Sequence, residues 1–150
     1  MPQLAVSSHA DAAALEEIEQ SLLTDLRESQ DQSTNRAVNF IVRASDETII
    51  AGLVGSLSYG WLQIKVLWVH SEHRGCGIGS NLIERAAKSV KASDGHAIWL
   101  DTSSLESLSF YQNKGFEIFG VLENTVNTVV PDHKRWFLKR KIDMTMSVSS

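Results

Sequence analysis

The stretch Arg74-Gly75-Cys76-Gly77-Ile78-Gly79 decides how this chain is read. Three glycines at alternate positions leave a loop without Cβ atoms at those points, so its backbone N–H groups can approach an anion closely. The run follows an apolar, strand-like stretch and opens an amphipathic helix. The first turn of that helix adds unpaired N–H groups and the positive end of its dipole. A phosphate-bearing ligand is the expected tenant of this turn.

Upstream, Trp61 to Val69 reads as a strand. Leu62, Ile64 and Val66 alternate with Gln63 and Lys65, and Val66-Leu67-Trp68-Val69 then runs continuously apolar, which predicts an end buried on both faces. Downstream, Ile78, Leu82, Ile83, Ala86, Ala87 and Val90 form one face of a helix from Gly77 to Ser93. Asp94-Gly95 stops it, and His96 to Leu100 is a short buried strand. Strand, glycine-rich turn, helix and strand in that order make a βαβ unit, which favours parallel pairing of the two strands.

Further out, a helix over Leu105 to Lys114 ends at Gly115 in a left-handed cap, followed by a strand from Phe116 to Leu122. Glu123 to His133 is a polar connection containing Pro131, and Trp136 to Ile142 is a last strand. Towards the N-terminus, Leu4-Ala5-Val6 is expected to be a first strand, with Ser7 or Ser8 capping a helix over Asp11 to Arg27. Glu28 to Arg36 is a polar loop. Strands Val38 to Ala44 and Thr48 to Ser58 turn at Ser45-Asp46-Glu47, and Tyr59-Gly60 makes the next reversal.

The length of 150 residues suits one domain, expected over residues 1–143, with 144–150 as a polar, flexible tail. A net charge of −4 argues against sequence-independent nucleic-acid binding, which needs excess Lys and Arg. Cys76 is the single cysteine, so an internal disulfide and a cysteine-rich zinc site are excluded, and no metal is expected. No apolar run approaches the ~20 residues of a membrane span. The first residues carry no basic-then-apolar leader, so a cytoplasmic location is expected.

Two nucleotide readings of the loop fit poorly. A dinucleotide-binding unit would place GxGxxG near the start of the chain, and a Walker A loop needs Gly-Lys-Ser/Thr where Gly79-Ser80-Asn81 stands. Arg74-x-x-Gly77-x-Gly79 instead resembles the acyl-CoA pyrophosphate loop of the GNAT (GCN-related N-acetyltransferase) superfamily. The segment Phe110-Tyr111-Gln112-Asn113-Lys114-Gly115-Phe116 is similar to that family's FYxxxGF signature and follows at the family's spacing. Leu67-Trp68-Val69, Leu100-Asp101-Thr102 and Phe116-Glu117-Ile118-Phe119-Gly120 further resemble a group of small stand-alone bacterial enzymes. The resemblance covers roughly the second half of the chain, while the first half matches in element order.

The resemblance implies an α/β fold of the mixed α+β kind: a mostly antiparallel sheet of six to seven strands, flanked by helices, around the βαβ unit. Trp61 to Val69 and His96 to Asp101 would splay apart to admit the pantetheine arm. It implies acetyl-CoA as cosubstrate and direct acetyl transfer to a primary amine on a small molecule or peptide. The cofactor-binding residues would be Leu67, Trp68 and Val69 for pantetheine and Arg74, Gly75, Cys76, Gly77, Ile78, Gly79 and Ser80 for the diphosphate. Tyr111 occupies the position of the family's general acid, a phenol that stays protonated at neutral pH and can donate to the departing sulfur.

No general base is evident, because Trp61 to Val69 holds no carboxylate. Asp101 and His70 are further catalytic candidates, Asp101 as an orienting group or a helix cap and His70 as a water-mediated relay. His133 is a comparable relay candidate, and Glu72 reads as a solvated charge. Cys76 reads as a small residue whose backbone matters more than its thiol. The four tryptophans read as core or interface, and the basic run Lys134 to Lys141 as a solvated edge strand. The resemblance also implies a homodimer. A catalytically silent acyl-CoA sensor is the alternative from another class, and a mononucleotide binder is a third.

Overall fold

The computed structural model describes residues 4–9 and 11–143, and the predicted tail at 144–150 lies outside them. The chain divides into two compact units, Met1–Ser33 and Thr34–Ser150.

The first unit is built on α1 (Ala12–Ser29). Its apolar residues Leu15, Ile18, Leu22 and Leu26 recur at helical spacing. The cap is Asp11, whose carboxylate accepts the N–H of Ala13 at 3.0 Å. The expected Ser7 or Ser8 cap is not used; Ser7 accepts the N–H of His9 instead. Leu4-Ala5-Val6 is not a strand. Three apolar residues make a strand only where a ladder accepts their N–H and C=O groups, and these have none among the described residues.

The second unit is a six-stranded sheet with two helices. In chain order it comprises β1 (Arg36–Arg43), β2 (Ile49–Ser58), β3 (Trp61–Val69), α2 (Ile78–Ala92), β4 (Ala97–Thr102), α3 (Leu105–Asn113), β5 (Glu117–Glu123) and β6 (Lys134–Lys141). The strands lie in the order β1-β2-β3-β4-β6-β5, with every pair antiparallel except β3–β4. Tyr59 and Gly60 both take positive φ (52° and 79°), the two-residue turn whose twist matches the flanking strands. One core holds the sheet to its helices. Leu53, Leu62, Ile98, Leu100 and Leu138 from the strands meet Leu82, Ile83 and Val90 of α2, and Leu108 and Tyr111 of α3 belong to the same cluster. Among the described residues, no helix is long and apolar enough to cross a membrane.

Two departures from regularity position the site. The first is a bulge in β3. Val54 of β2 stands opposite Val66 while the next residue, Gly55, stands opposite Ile64, so Lys65 is supernumerary. An extra residue shifts the two-residue alternation by one. Leu62 and Ile64 face the core before it; Leu67 and Val69 pack against the core after it. Val66, which a simple alternation would bury, is 52% exposed, and Trp68 is 43% exposed. The expectation that this strand end is buried on both faces is therefore corrected.

The second departure is the short β3–β4 ladder. It consists of Trp61↔Ala97, Leu62↔Ile98 and Gln63↔Trp99, and then stops. Beyond it β3 follows β2 up to Val69↔Ala51, and β4 follows β6 up to Thr102↔Trp136. Two extended backbones thus diverge, and beyond Gln63↔Trp99 neither pairs with the other.

Candidate active site

A cleft of ≈ 590 Å³ opens beside these diverging strands. The end of β3 supplies Leu67, Trp68 and Val69. The connection to α2 supplies His73, Arg74 and Gly75, and the first turn of the helix supplies Gly77, Ile78, Gly79 and Ser80. From α3 and its cap come Ser104, Glu106, Ser107, Phe110 and Tyr111.

The loop's shape follows from its glycines. Gly75 and Gly77 have φ of 76° and 82°, values that side chains with a Cβ rarely adopt. Gly77 is the N-cap of α2 and, having no side chain, cannot satisfy the helix's first N–H groups itself. Its carbonyl accepts the N–H of Asn81 at 3.0 Å, which opens the helix. Gly79 serves close packing: a Cβ there would stand 3.3 Å from the Phe110 ring and 3.8 Å from Val69. Arg74 ties the loop to β3 through a 3.0 Å hydrogen bond from its Nε to the carbonyl of Val69. The result is a cup of backbone donors at the positive end of a 15-residue helix.

Tyr111 enters from α3, whose N-cap Ser104 accepts the N–H of Ser107 at 3.2 Å. It is 8% exposed, and its ring meets those of Phe110 and Phe116 edge-on at 5.3 and 5.5 Å. Burial among these rings removes water from the phenolate form and pushes the Tyr111 pKa up to about 12.

Nine of the ten residues expected to bind the cofactor line the cleft, as does Tyr111. Cys76 does not; it is exposed, with its thiol 3.8 Å from the carbonyl of Arg74. Asp101 and His70 are also absent from the lining. Leu100 turns into the core, so Asp101, the next residue on the strand, projects from the other face, where its carboxylate lies 3.5 Å from Arg135 Nε. His70 caps a single 3₁₀ turn, Ser71–His73, by accepting the N–H of Glu72 on Nδ1 at 3.1 Å. Glu72 is exposed on that turn, and His133 lies in the β5–β6 connection, where its carbonyl accepts the N–H of Asn124.

Sequence reasoning missed His73, Ser104, Glu106, Ser107 and Phe110. A signal existed for the last four. On a helix through Tyr111, Ser107 and Ser104 lie four and seven residues back, and Glu106 lies four before Phe110, so all share adjoining faces.

Comparison with known proteins agrees with this architecture. The sequence model of the Acetyltransferase (GNAT) family matches residues 6–116. Acetyltransferase Atu2258 of Agrobacterium fabrum is 30% identical over 117 residues, 78% of this chain and 85% of that protein. Among solved structures, a candidate acetyltransferase from Agrobacterium tumefaciens superposes with a TM-score of 0.81 at 26% identity, over 93% of this chain and 99% of that one. A candidate streptothricin acetyltransferase from Bacillus anthracis, solved with acetyl coenzyme A, superposes with a TM-score of 0.62 at 20% identity, over 77% and 65% of the two chains. The family match, the relative covering most of the chain and the shared fold together place this protein in the GNAT family, as an acetyltransferase.

Proposed function

We propose that this enzyme transfers an acetyl group from acetyl-CoA to a primary amine, with the cleft between β3, α2 and α3 as its cofactor site. The observation that carries the reading is that the glycine-cup donors, the open edge of β3 and Tyr111 all border one cleft. The donor set fits the cosubstrate. Backbone N–H groups over Gly75 to Ser80 and the terminal guanidinium nitrogens of Arg74 suit a diphosphate. The edge of Leu67 to Val69, which β4 does not pair, suits the two amides of a pantetheine arm, which pair as an added strand would. Bound there, acetyl-CoA supplies a thioester whose C–S bond breaks as the acceptor's N–C bond forms.

Within this reading Tyr111 is the acid. A phenol held near 12 is fully protonated at neutral pH, so its O–H is always available to a sulfur gaining charge. Because a thiol ordinarily ionises near about 8.5, the phenol stabilises the departing thiolate mainly by donating a hydrogen bond. Asp101 and His70 take structural roles, Asp101 holding Arg135 and His70 capping the turn before the loop. The amine attacks in its neutral form and gives up its proton to water. The antibiotic named for the Bacillus anthracis protein is one acceptor to include in a screen.

The test is calorimetry with acetyl-CoA followed by an amine panel read through release of free thiol. Saturable binding and transfer to at least one amine are expected. Absence of acetyl-CoA binding overturns the cofactor site. Tight binding with no transfer to any amine favours a sensor.

A further inference from the structure

The face of the sheet opposite α2 and α3 carries a second cavity, ≈ 410 Å³, lined by Trp61, Trp99, Phe119, Phe137 and Lys139. Strand alternation puts four of them there, and Phe119 is the residue passed over by an irregularity in the β5–β6 register. Leu62, Leu100 and Leu138 point into the core, so their neighbours on β3, β4 and β6 point away from it. Lys139 is half-buried, with its ammonium 5.8 Å from the centre of the Phe119 ring. Among the described residues it joins none of the ion pairs; Glu117 stands opposite it in the β5–β6 register without pairing. Four aromatic walls around an uncompensated cation make a receptor for a flat ring bearing an anionic group.

The location ties this cavity to the chemistry. Gln63↔Trp99 is the last rung of the β3–β4 ladder, so the cavity ends where the sheet opens. The cofactor cleft lies on the core side of that opening and the aromatic cavity on the other. Trp99 faces Lys139, and two residues on, roughly 7 Å along the strand, Asp101 faces Phe137 beside the gap. A benzene ring with substituents at opposite ends spans about that length.

We propose that this cavity is the acceptor subsite, and that the preferred acceptor is a primary amine on a short side arm of an aromatic ring, with a carboxylate or similar anion at the end of the ring remote from the amine. The ring stacks among Trp61, Trp99 and Phe137, the anion meets Lys139, and the amine projects into the gap. The inference rests on the acetyl-transfer reading. The nitrogen forms its bond to the acetyl carbon as that carbon leaves sulfur; the nitrogen releases a proton to solvent, and the thiolate takes up one.

The experiment compares three acceptors: 4-(aminomethyl)benzoate, benzylamine without the anion, and 6-aminohexanoate without the ring. For the wild type, kcat/KM for 4-(aminomethyl)benzoate is expected to exceed both others at least tenfold. Lys139→Gln should abolish its advantage over benzylamine, and Trp99→Leu its advantage over 6-aminohexanoate, each with the KM for acetyl-CoA unchanged. Phe137→Leu serves as a second ring-wall variant should Trp99→Leu fold poorly. Equal use of the three amines, or variants that slow all three alike, overturns the proposal. A separate arm titrates 4-(aminomethyl)benzoate against tryptophan fluorescence without acetyl-CoA. A saturable change lost in Lys139→Gln is expected, and no saturable change overturns the subsite. Failure of the acetyl-transfer reading is recognised independently, by calorimetry showing no acetyl-CoA binding.

Discussion

Phe116 donates its N–H to the carbonyl of Tyr111 at 3.0 Å and sets its ring 5.5 Å from the tyrosine's. This is the closing bond of a Schellman cap. Gly115, at φ 89°, donates to Gln112 at 3.1 Å, and the residue after it reaches back five positions. The FYxxxGF pattern thus has a local mechanical meaning: glycine turns the chain, the second phenylalanine fastens it, and Tyr111 is held at the cleft wall. Replacing Tyr111 with phenylalanine keeps that packing and removes only the O–H. We expect kcat for acetyl transfer to fall by about 10²-fold, the scale of one positioned acid, with the Kd for acetyl-CoA within about twofold of wild type. Stopped thiol-release assays and calorimetry on the same preparation check both values.

The buried phenol also makes the fold sensitive to alkali. Its pKa stands near 12 in the folded protein against 10.0 for the ordinary side chain, because burial disfavours the phenolate. The unfolded chain therefore loses this proton first. The associated stability is intact below pH 10 and is lost as pH rises from about 10 towards 12, a total on the order of 2–3 kcal/mol at about 1.4 kcal/mol per unit. Urea melts from pH 8 to 11.5 should show this decline in wild type, and a shallower one in Tyr111→Phe.

Two glycine substitutions should separate binding from stability. Gly77→Ala meets no atom within 4 Å, so its penalty is conformational, about 1–2 kcal/mol for holding a side-chain-bearing residue in the left-handed region. Relief of that strain moves the amides of the cup, and the KM for acetyl-CoA should rise about tenfold. Gly95→Ala would put a Cβ 2.7 Å from Val90 and 3.2 Å from the carbonyl of Gly60, in the core behind α2. It should cost about 1–3 kcal/mol by overpacking and leave the KM for acetyl-CoA unchanged. Thermal melts paired with steady-state kinetics distinguish the two patterns.

Asp101→Asn should change kcat less than threefold. Its carboxylate faces an exposed arginine at 3.5 Å, and such pairs contribute roughly 0–1 kcal/mol. A larger loss in a well-folded Asp101→Asn variant would return the residue to the catalytic apparatus.

Much of this architecture is legible in the amino-acid sequence. The glycine loop, β3 from Trp61 to Val69 and the tyrosine of α3 are local patterns, governed by residues close in sequence, and they stand where the pattern places them. What escapes such a reading depends on neighbours. The Lys65 bulge exists only relative to β2, so the β3 sequence alone reads as alternation running into an apolar end and sends Val66 inward. The side of the sheet that Asp101 faces is likewise open until β4 pairs with β6 and Leu100 takes its place in the core. Leu4-Ala5-Val6 has strand-like composition but, among the described residues, no ladder to join.

The extra residue at Lys65 makes the enzyme depend on odd-even parity within a single strand. Were β3 to pair with β2 in strict alternation, with no residue looped out, Leu67, Trp68 and Val69 would swap sides. The indole would be driven into the interior and the two aliphatic chains turned to water. Catalytic competence here is thus written partly in a count of residues, and a variant library that permits single deletions in β3 should tolerate loss of Lys65 best, because the remaining residues then alternate regularly on the faces they already hold.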